Sequence, residues 1–584
     1  MNDRDDLFEK MREKLAAAEP TSWDGISDVL ADIMRAEKTA KSHSKEEFLQ
    51  LISKGIAFIT YDYGIDGVSI EIRKYAKCLE QILADCGGCK LHFIGGDFSD
   101  KADTVLEKGW SRFELAGANG WSKWDGGKWF SKLYYEDMKD GSKESNQLAA
   151  EMWRQGRDFA IKMGRYISEN NISLIIPVNV CSNPGNFAFG LAIAIVAEGL
   201  GVYIINSNHD YYWEWGKKAS EKQAGEPAGS RDHFFRNLEN KPFFDLFEKL
   251  YPLNGARWLQ VNINRSQSRA LVEKYGFSED TVSDIATAIS DDFFKITSDE
   301  DVKSARLRMA HILSDGQAKI ASVAIDEHLE KLDEWMQNQK PIVVGSGKGC
   351  VLDPRKDGTI YLLQPTRVIG RKRIEKDVEL IRALLGVERF RKVFEQSGNG
   401  PLVLHITGPV PIEHKSDLEK ILIEYRNLCA ELPIEIAARL FIAFSVGNEE
   451  HDCFASKGFE RLYIQDIYRL ATAIVFPSEL EGRGLPIIES SAAGIPIICS
   501  RYFPAEVFGD VVGEGMDAEK QIRYTLFEEE GFSEKFLSEV IELLLFPAKG
   551  AERKEHNIQA VKLRYNMAVL RDTFAELLDK LSRI

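Results

Sequence analysis

A strand, a glycine turn and a helix follow one another late in the chain, and this segment constrains the fold more than any other. The apolar run Ala473–Phe476 predicts a buried parallel strand. A turn with Gly482 and Gly484 comes next, and Pro486 suits the first turn of a helix that Gly494 can end. This order of elements directs backbone N–H groups and the positive end of a helix dipole toward an anion.

Two carboxylates, Glu481 and Glu489, lie eight positions apart across this turn. Glu489 falls about one turn into the predicted helix, where a carboxylate can accept hydrogen bonds from vicinal hydroxyls such as those of a ribose. The segment resembles the E-x7-E signature of retaining GT-B glycosyltransferases, those of family 4 in particular. The likeness runs over residues 481–498, and it departs from the family at Arg483, where an aromatic residue is usual.

The resemblance implies roles for this segment. Glu489 would bind the ribose of a nucleotide sugar, and Glu481 would bind a hexose hydroxyl. The turn of Gly482, Gly484 and Leu485 would present backbone N–H groups to the diphosphate or to the sugar.

A basic loop follows the apolar run of residues 359–363. A diphosphate leaving group gains negative charge as its glycosidic bond breaks, so that the site needs fixed cations. Arg367 and Lys372 match the spacing of the Arg and Lys that the family carries at this loop, which implies that both are catalytic. Arg371 and Arg373 crowd the same loop, so that the register can slip by one residue.

The first half of the chain also carries candidate residues. Residues 56–60, a glycine loop with Gly67 and an amphipathic helix resemble the opening of GT-B N-terminal domains, which places Gly67 near a substrate. His209 and Asp210 follow the predicted strand 202–205, at the edge where parallel sheets bind ligands. The run His-Asp-x-x-Trp-Glu is similar to that of enzymes that glycosylate small polar acceptors such as glucosylglycerate. The resemblance implies that His209 faces the donor hexose and that Asp210 binds substrate.

Apolar strands alternate with helices through both halves, which predicts parallel sheets covered on both faces. The predicted fold class is α/β of the GT-B type, with two Rossmann-like domains facing across a cleft. The predicted division is a helical N-terminal extension at 1–50, an acceptor domain at 51–280, a helical linker or insertion at 281–350, a nucleotide-sugar donor domain at 351–552 and a C-terminal helix crossing back to the first domain at 553–584.

Composition excludes several classes of partner. A formal net charge of −16 argues against nonspecific binding to nucleic acid and to anionic lipid. The polar, acidic N-terminus is not a secretory signal, and no apolar run reaches the roughly 18 residues of a membrane span. Eight cysteines are ordinary for a reducing compartment, and Cys86-Gly-Gly-Cys89 is interpreted as a turn. We therefore expect a cytoplasmic protein without stable membrane insertion, and a homo-oligomer is compatible with the sequence.

No metal-ligand pattern stands out. The two D-x-D strings, at residues 3–5 and 299–301, follow no apolar strand, and the glycines of residues 345–349 lack P-loop spacing. We expect no metal and no cofactor, with a UDP-, GDP- or ADP-hexose as co-substrate. The resemblance implies transfer of the hexose, with retention of its anomeric configuration, to a small polar or saccharide acceptor. A retaining disaccharide phosphorylase and a catalytically inert partner protein of the same fold are the alternatives.

Overall fold

A computed structural model describes residues 3–35, 43–64, 66–100, 102–134, 136, 138–214, 240–295, 298–317, 319–347, 349–353, 356, 358–396, 400–445, 450–528 and 531–584. The chain divides into two compact units. The first unit comprises Met1–Ala288 and Met567–Ile584, and the second comprises Ile289–Asn566.

The first unit is built on a parallel sheet. Its strands are β1 (Ile56–Ile59), β2 (Asp62–Tyr63), β3 (Leu91–Gly95), β4 (Asp97–Phe98), β5 (Ser111–Glu114), β6 (Leu174–Pro177), β7 (Tyr203–Asn208), β8 (Trp258–Asn262) and β9 (Val282–Asp284). Seven of them form one sheet in the order β5-β3-β1-β6-β7-β8-β9, and β2 pairs with β4. Strands β1 and β6 are buried at every position because helices cover both faces of the sheet. The strand order reverses between these two strands, where sheets of this kind open a crevice.

Helices cover this sheet, and the first of them lie in the segment predicted as an extension. They are α1 (Asp3–Ala17), α2 (Trp23–Met34), α3 (Lys45–Ser53), α4 (Gly67–Ile82), α5 (Lys128–Tyr134), α6 (Lys143–Glu169), α7 (Phe187–Leu200), α8 (Lys241–Leu250) and α9 (Arg265–Tyr275). Met11 of α1 is buried against two glycines, since a Cβ at Gly164 or Gly199 would lie 2.8 or 2.7 Å from its side chain. The N-terminal helices therefore pack on the first unit itself.

Among its described residues, the second unit has ten strands, eight of which form one sheet. The ten strands are β10 (Ile320–Ala321), β11 (Val323–Ala324), β12 (Ile342–Gly345), β13 (Val351–Leu352), β14 (Ile360–Gln364), β15 (Leu402–Thr407), β16 (Leu440–Ser445), β17 (Ala473–Phe476), β18 (Ile497–Cys499) and β19 (Thr525–Leu526). The order in this sheet is β11-β12-β16-β15-β14-β17-β18-β19, in which β12 and β16 are antiparallel and the other neighbours are parallel. Strands β10 and β13 form a separate antiparallel pair. The order reverses between β14 and β17, and folds of this kind open a crevice at such a point, outside the carboxyl ends of the strands.

The helices of the second unit complete a doubly wound arrangement. They are α10 (Asp299–Leu313), α11 (Ile325–Glu330), α12 (Leu332–Asn338), α13 (Glu375–Gly386), α14 (Glu388–Gln396), α15 (Lys415–Glu431), α16 (Ile434–Ala437), α17 (Cys453–Lys457), α18 (Ile464–Leu470), α19 (Leu485–Ala492), α20 (Ala505–Val512), α21 (Glu534–Leu545) and α22 (Ala551–Tyr565). The last helix, α23 (Met567–Ser582), belongs to the first unit, where Phe574 packs against Tyr75 of α4 with ring centroids 5.0 Å apart.

The predicted fold class is confirmed in the two α/β units, each with a doubly wound and largely parallel sheet. Three details differ from the prediction. The single helix expected over 553–584 is two helices, because Asn566 has extended backbone between them. No strand or helix is predicted between residues 97 and 146, whereas the structure has edge strand β5 and helix α5 there. The segment 281–350, predicted as helical, contains strands β9 to β12 beside its helices. These strands have two to four residues, too few to give a visible periodicity. Within the described residues, none of the helices has the length and apolar character that crossing a membrane requires.

Candidate active site

The reversal of strand order in the second unit brings two loops together. The loop after β14 carries Arg367, Arg371 and Lys372, and the loop after β17 carries Glu481. The two loops are joined through the Arg371 carbonyl, which accepts a hydrogen bond from the Glu479 backbone N–H at 2.9 Å. Residues far apart in sequence therefore meet at the carboxyl edge of the sheet, where ligands bind in such folds.

Glu481 is the centre of a buried ionic cluster. Lys372 Nζ donates a hydrogen bond to Glu481 Oε1, and Ser478 Oγ donates to the same oxygen at 2.5 Å. Arg371 Nη1 lies 3.7 Å from the other carboxylate oxygen and donates to the Leu480 carbonyl. Glu481 and Lys372 keep only 7% and 8% of their surface exposed. Such a pair holds its geometry firmly, because separating two buried charges leaves each of them uncompensated.

Lys372 has a perturbed proton affinity. Burial lowers the pKa of Lys372 below its ordinary value, because the ammonium loses its hydration. The negative charge of Glu481 opposes this shift in pKa, whereas the positive charges of Arg371 and Arg367 add to it. An anion that bound beside this lysine would replace part of the lost hydration and favour its charged form.

The structure places the two predicted cations differently. Lys372 is buried on Glu481, whereas Arg367 is exposed on the same loop. The Arg367 backbone packs closely against Gly408 in the loop after β15, since a Cβ at Gly408 would lie 2.6 Å from the Arg367 nitrogen. Arg371, weighed in the sequence only as a slip of register, is the arginine that contacts Glu481. Ser478 is not among the predicted site residues, although its position in the Pro-Ser-Glu turn after a buried strand is visible in the sequence.

Glu489 lies on α19 and has a partner on α18. The Tyr468 hydroxyl donates a hydrogen bond to Glu489 Oε2 at 2.6 Å. Burial raises the pKa of Tyr468 well above its ordinary value, so that the hydroxyl stays protonated and acts as the donor. No sequence pattern indicates this contact, because Tyr468 has the ordinary position of a core aromatic on a helix.

Gly484 immediately precedes α19 and has φ +62, in the left-handed region that favours glycine. A Cβ there would also lie 2.3 Å from the Tyr502 hydroxyl oxygen. Within the described residues, no side chain caps the start of α19, where Leu485 is the first helical residue. Gly482, in the same turn, is half-buried. Pro486 has no backbone N–H, and that of Ile487 donates to the Gly484 carbonyl at 3.0 Å. The turn therefore offers an anion the backbone N–H of Leu485 and the positive end of the helix dipole.

His209 and Asp210 directly follow β7 in the first unit. This strand runs through Asn208, further than the predicted 202–205. Asn179 Oδ1 accepts hydrogen bonds from the backbone N–H groups of His209 and Asp210, at 3.3 and 3.0 Å. Gln267 Nε2 donates to the His209 carbonyl at 3.1 Å. Two amide side chains that the sequence did not point to therefore fix the backbone of this turn.

Gly67 is the first residue of α4, not part of an open loop. Asp66 caps this helix, since its Oδ1 accepts from the backbone N–H groups of Val68 and Ser69 at 2.8 and 3.0 Å. A Cβ at Gly67 would meet no atom within 4 Å. The helix start is thus occupied by a carboxylate of the chain itself, and the substrate contact of Gly67 stays a prediction.

Among the described residues, no group of three or more His, Cys, Asp and Glu side chains is placed to hold a metal ion. The fixed positive charges near Glu481 are those of Lys372 and Arg371. The expectation of a metal-independent reaction stays a prediction.

Residues 448–520, which include Glu481 and Glu489, match the family model described as Glycosyl transferases group 1. The chain is 22% identical over 466 residues to the mannosylglucosylglycerate synthase of Petrotoga mobilis, a match that covers 76% of this chain and 82% of that protein. It is 23% identical over 533 residues to the mannosylglucosylglycerate synthase of Thermotoga maritima, covering 88% and 98%. Among solved structures, Anabaena Alr3699/HepE in complex with UDP and glucose is similar with a TM-score of 0.49 and 11% identity, covering 90% of this chain and 99% of that one. The second unit therefore contains a glycosyl transferases group 1 segment, and the chain is distantly homologous to the two synthases.

Proposed function

We propose that the protein is a retaining glycosyltransferase of family 4 that moves a hexose from a nucleotide diphosphate sugar to a hydroxyl of a small polar or carbohydrate acceptor. The reaction needs no metal ion and takes place in the cytoplasm. The single observation that carries the proposal is the buried contact of Lys372 with Glu481 between the loops after β14 and β17. It joins a cation to one glutamate of the E-x7-E segment at the edge of the sheet where ligands bind.

The cations of this cluster suit a diphosphate leaving group. Lys372 and Arg371 are held near Glu481, and Arg367 is exposed on the same loop. As the bond to the sugar breaks, charge develops on the phosphate oxygens, and fixed cations in a partly buried site stabilise it without reorganising. These side chains can fill the role that a divalent cation has in other transferases.

Glu489 suits the ribose of the nucleotide. A carboxylate can accept two hydrogen bonds from vicinal hydroxyls, provided that its orientation is fixed. The Tyr468 hydroxyl provides this by its contact with one carboxylate oxygen. The backbone at Gly482, Gly484 and Leu485, beside the positive end of α19, suits the diphosphate or the sugar.

Retention is proposed to follow from departure and attack on the same face of the sugar, with the leaving phosphate assisting deprotonation of the acceptor. Glu481 is ill suited to be a covalent nucleophile, because its Oε1 already accepts hydrogen bonds from Lys372 and Ser478. We assign it instead to a hexose hydroxyl. Both homologous synthases are named for a product built on glucosylglycerate, so that we propose glucosylglycerate as the first acceptor to test. His209 and Asp210 are proposed to contact the hexose and the acceptor.

The test is transfer measured by mass spectrometry, with UDP-, GDP- and ADP-hexoses as donors and glucosylglycerate as acceptor, each with and without EDTA. We expect an EDTA-insensitive product with one donor, whose new linkage is α by NMR. Glu489→Gln should weaken binding of the matching nucleoside diphosphate, whereas Glu435→Gln, a change of an exposed glutamate on α16, should not. Release of a sugar 1-phosphate that depends on inorganic phosphate would point to the phosphorylase. Failure of the folded protein to bind any of the nucleotides or phosphate would point to an inert partner.

A further inference from the structure

A cavity lies at the edge of the second unit's sheet opposite to the Lys372–Glu481 cluster. Its volume is about 690 Å³, within the range of sites for small molecules. Thr359, Thr472 and Pro496 line it, and each directly precedes a parallel strand, namely β14, β17 and β18. The Lys372–Glu481 cluster follows these strands, so that about 15 Å of strand separates the two sites.

The cavity is strongly cationic. Five basic side chains line it against two carboxylates, Glu539 and Glu542; the five are Arg306, Arg469, Lys549, Arg553 and Lys554. This excess of three positive charges lies in a chain whose formal net charge is −16. A concave site with charge of one sign concentrates ions of the other sign, and the cavity therefore selects an anion.

Among the described residues, three of the five cations lie beside a carboxylate and two do not. Arg469 lies 3.4 Å from Asp466, and Arg553 lies 3.5 Å from Glu539. Lys549 lies 2.6 Å from Glu542. By contrast, no carboxylate among the described residues forms an ion pair with Arg306 or Lys554. Arg306 is half-buried on α10, where a guanidinium without an anion is costly. A bound phosphate would supply that anion, and the planar guanidinium fork matches its oxygens.

The rest of the lining is apolar, with Ile360, Leu470 and Phe546 among its residues. Phe546 leaves 38% of its surface exposed, enough to cover a ring of a ligand. We propose that this cavity is a regulatory site for a phosphate monoester with a carbon body, such as a sugar phosphate or a nucleoside monophosphate.

The cavity is connected to the candidate active site through two helices. Arg469 and Leu470 line it at the end of α18, the helix whose Tyr468 binds Glu489. Gly494 and Pro496 line it where α19, the helix of Glu489, leads into β18. A ligand that binds Arg469 contacts the residue next to Tyr468, which in turn holds Glu489. We therefore expect this ligand to change the affinity for the nucleotide. This consequence rests on the proposed function, whereas the binding itself does not.

Calorimetric titration of the full chain with inorganic phosphate, glucose 6-phosphate and AMP tests the site. We expect one of the two monoesters to bind more tightly than inorganic phosphate, and to bind equally well to Lys372→Gln. Arg306→Gln should weaken this binding about tenfold or more, as for the loss of one charged hydrogen bond. The matched control Arg426→Gln, a change of an arginine on α15 outside the cavity, should leave it unchanged. Lys554→Gln supplies a second, exposed variant if Arg306→Gln does not fold.

The second arm measures the affinity for the matching nucleoside diphosphate with and without the saturating monoester. We expect a severalfold change, and linkage requires the same factor when the order of addition is reversed. No monoester binding, binding lost in Lys372→Gln but kept in Arg306→Gln, or an unchanged nucleotide affinity would each overturn the proposal. Failure to bind any nucleoside diphosphate would instead count against the proposed function, because the monoester titration reports on the cavity by itself.

Discussion

Tyr468 donates its hydroxyl proton to Glu489 over 2.6 Å, and this hydrogen bond joins helix α18 to helix α19. The tyrosine is fully buried, so that water does not compete for the carboxylate oxygen that it contacts. The orientation of the carboxylate proposed to hold the ribose is thus set by a residue that comes from a different helix.

Tyr468→Phe should therefore weaken nucleotide binding while keeping the packing of the ring. We expect a loss of about tenfold in affinity for the nucleoside diphosphate, because one hydrogen bond to a charged group contributes about 1.5 kcal/mol. The measurement is calorimetric titration. Tyr425→Phe is the matched control. The buried Tyr425 hydroxyl donates to the Leu440 carbonyl at 2.7 Å and not to Glu489. Equal affinities for both variants would contradict the role of Tyr468.

His405 makes the second unit sensitive to acid. Burial lowers the pKa of His405 from its ordinary value of 6.5 to about 3, and its two ring nitrogens contact Tyr361 and Ser445. Between these two pKa values the unfolded chain binds more protons than the folded one, so that the free energy of unfolding falls as the pH falls below 6.5. We expect a loss of roughly 2 kcal/mol by about pH 5.

Urea unfolding followed over this range of pH measures the effect. His405→Gln should lower the stability at neutral pH, because its partners lose hydrogen bonds, but it should flatten the fall with pH. His556→Gln, a change of a half-buried histidine on α22, controls for the loss of a histidine as such. If the fall with pH in His405→Gln equals that of the unmodified protein, His405 is not its source.

The local parts of the site could be predicted from the sequence, because their signals are local. Strand β17 has its predicted bounds, and α19 begins one residue before Pro486, since an apolar run, a glycine turn and a proline each act over a few residues. The position of His209 and Asp210 at the end of a strand was visible for the same reason. The Asp66 cap could also have been found, because Asp before a glycine and a helix is a common start signal.

The pairings could not be predicted in this way. Lys372 and Glu481 are 109 positions apart, and only the strand order of the sheet brings their loops together. The contact of Tyr468 with Glu489 likewise depends on how α18 packs beside α19. Edge strand β5 was missed because it is largely exposed and has four residues, so that it lacks the apolar alternation of a covered strand.

Gly484→Ala tests the turn that precedes α19. The change adds backbone strain at φ +62 and places a methyl group 2.3 Å from the Tyr502 hydroxyl oxygen. We expect the free energy of unfolding to fall by about 2 to 4 kcal/mol, with loss of nucleotide binding.

A second substitution separates the two causes of this loss. Tyr502→Phe removes the closest atom, and the hydroxyl has no hydrogen-bond partner among the described residues, so that this change alone should cost little. In the double variant, part of the stability should return. Gly276→Ala, at φ +72 with no atom within 4 Å of the new Cβ, gives the cost of the backbone alone. A double variant no more stable than Gly484→Ala would show that the clash with Tyr502 is not the cause.

The roles of Arg367 and Arg371 can be distinguished because Arg371 contacts the loop of Glu481, whereas Arg367 is exposed. Arg371 donates to the Leu480 carbonyl and lies 3.7 Å from Glu481, so that Arg371→Gln should lower both the stability and the affinity for the nucleotide. Arg367 is exposed, and Arg367→Gln should leave the melting temperature within about 1 °C, since surface changes cost little. Its affinity for a nucleoside diphosphate should still fall about tenfold through the loss of one charged contact with phosphate. Thermal unfolding and titration of both variants measure the two quantities. If Arg367→Gln binds the nucleotide like the unmodified protein, Arg367 does not contact the phosphate. Arg371 is then the residue to assign to that contact.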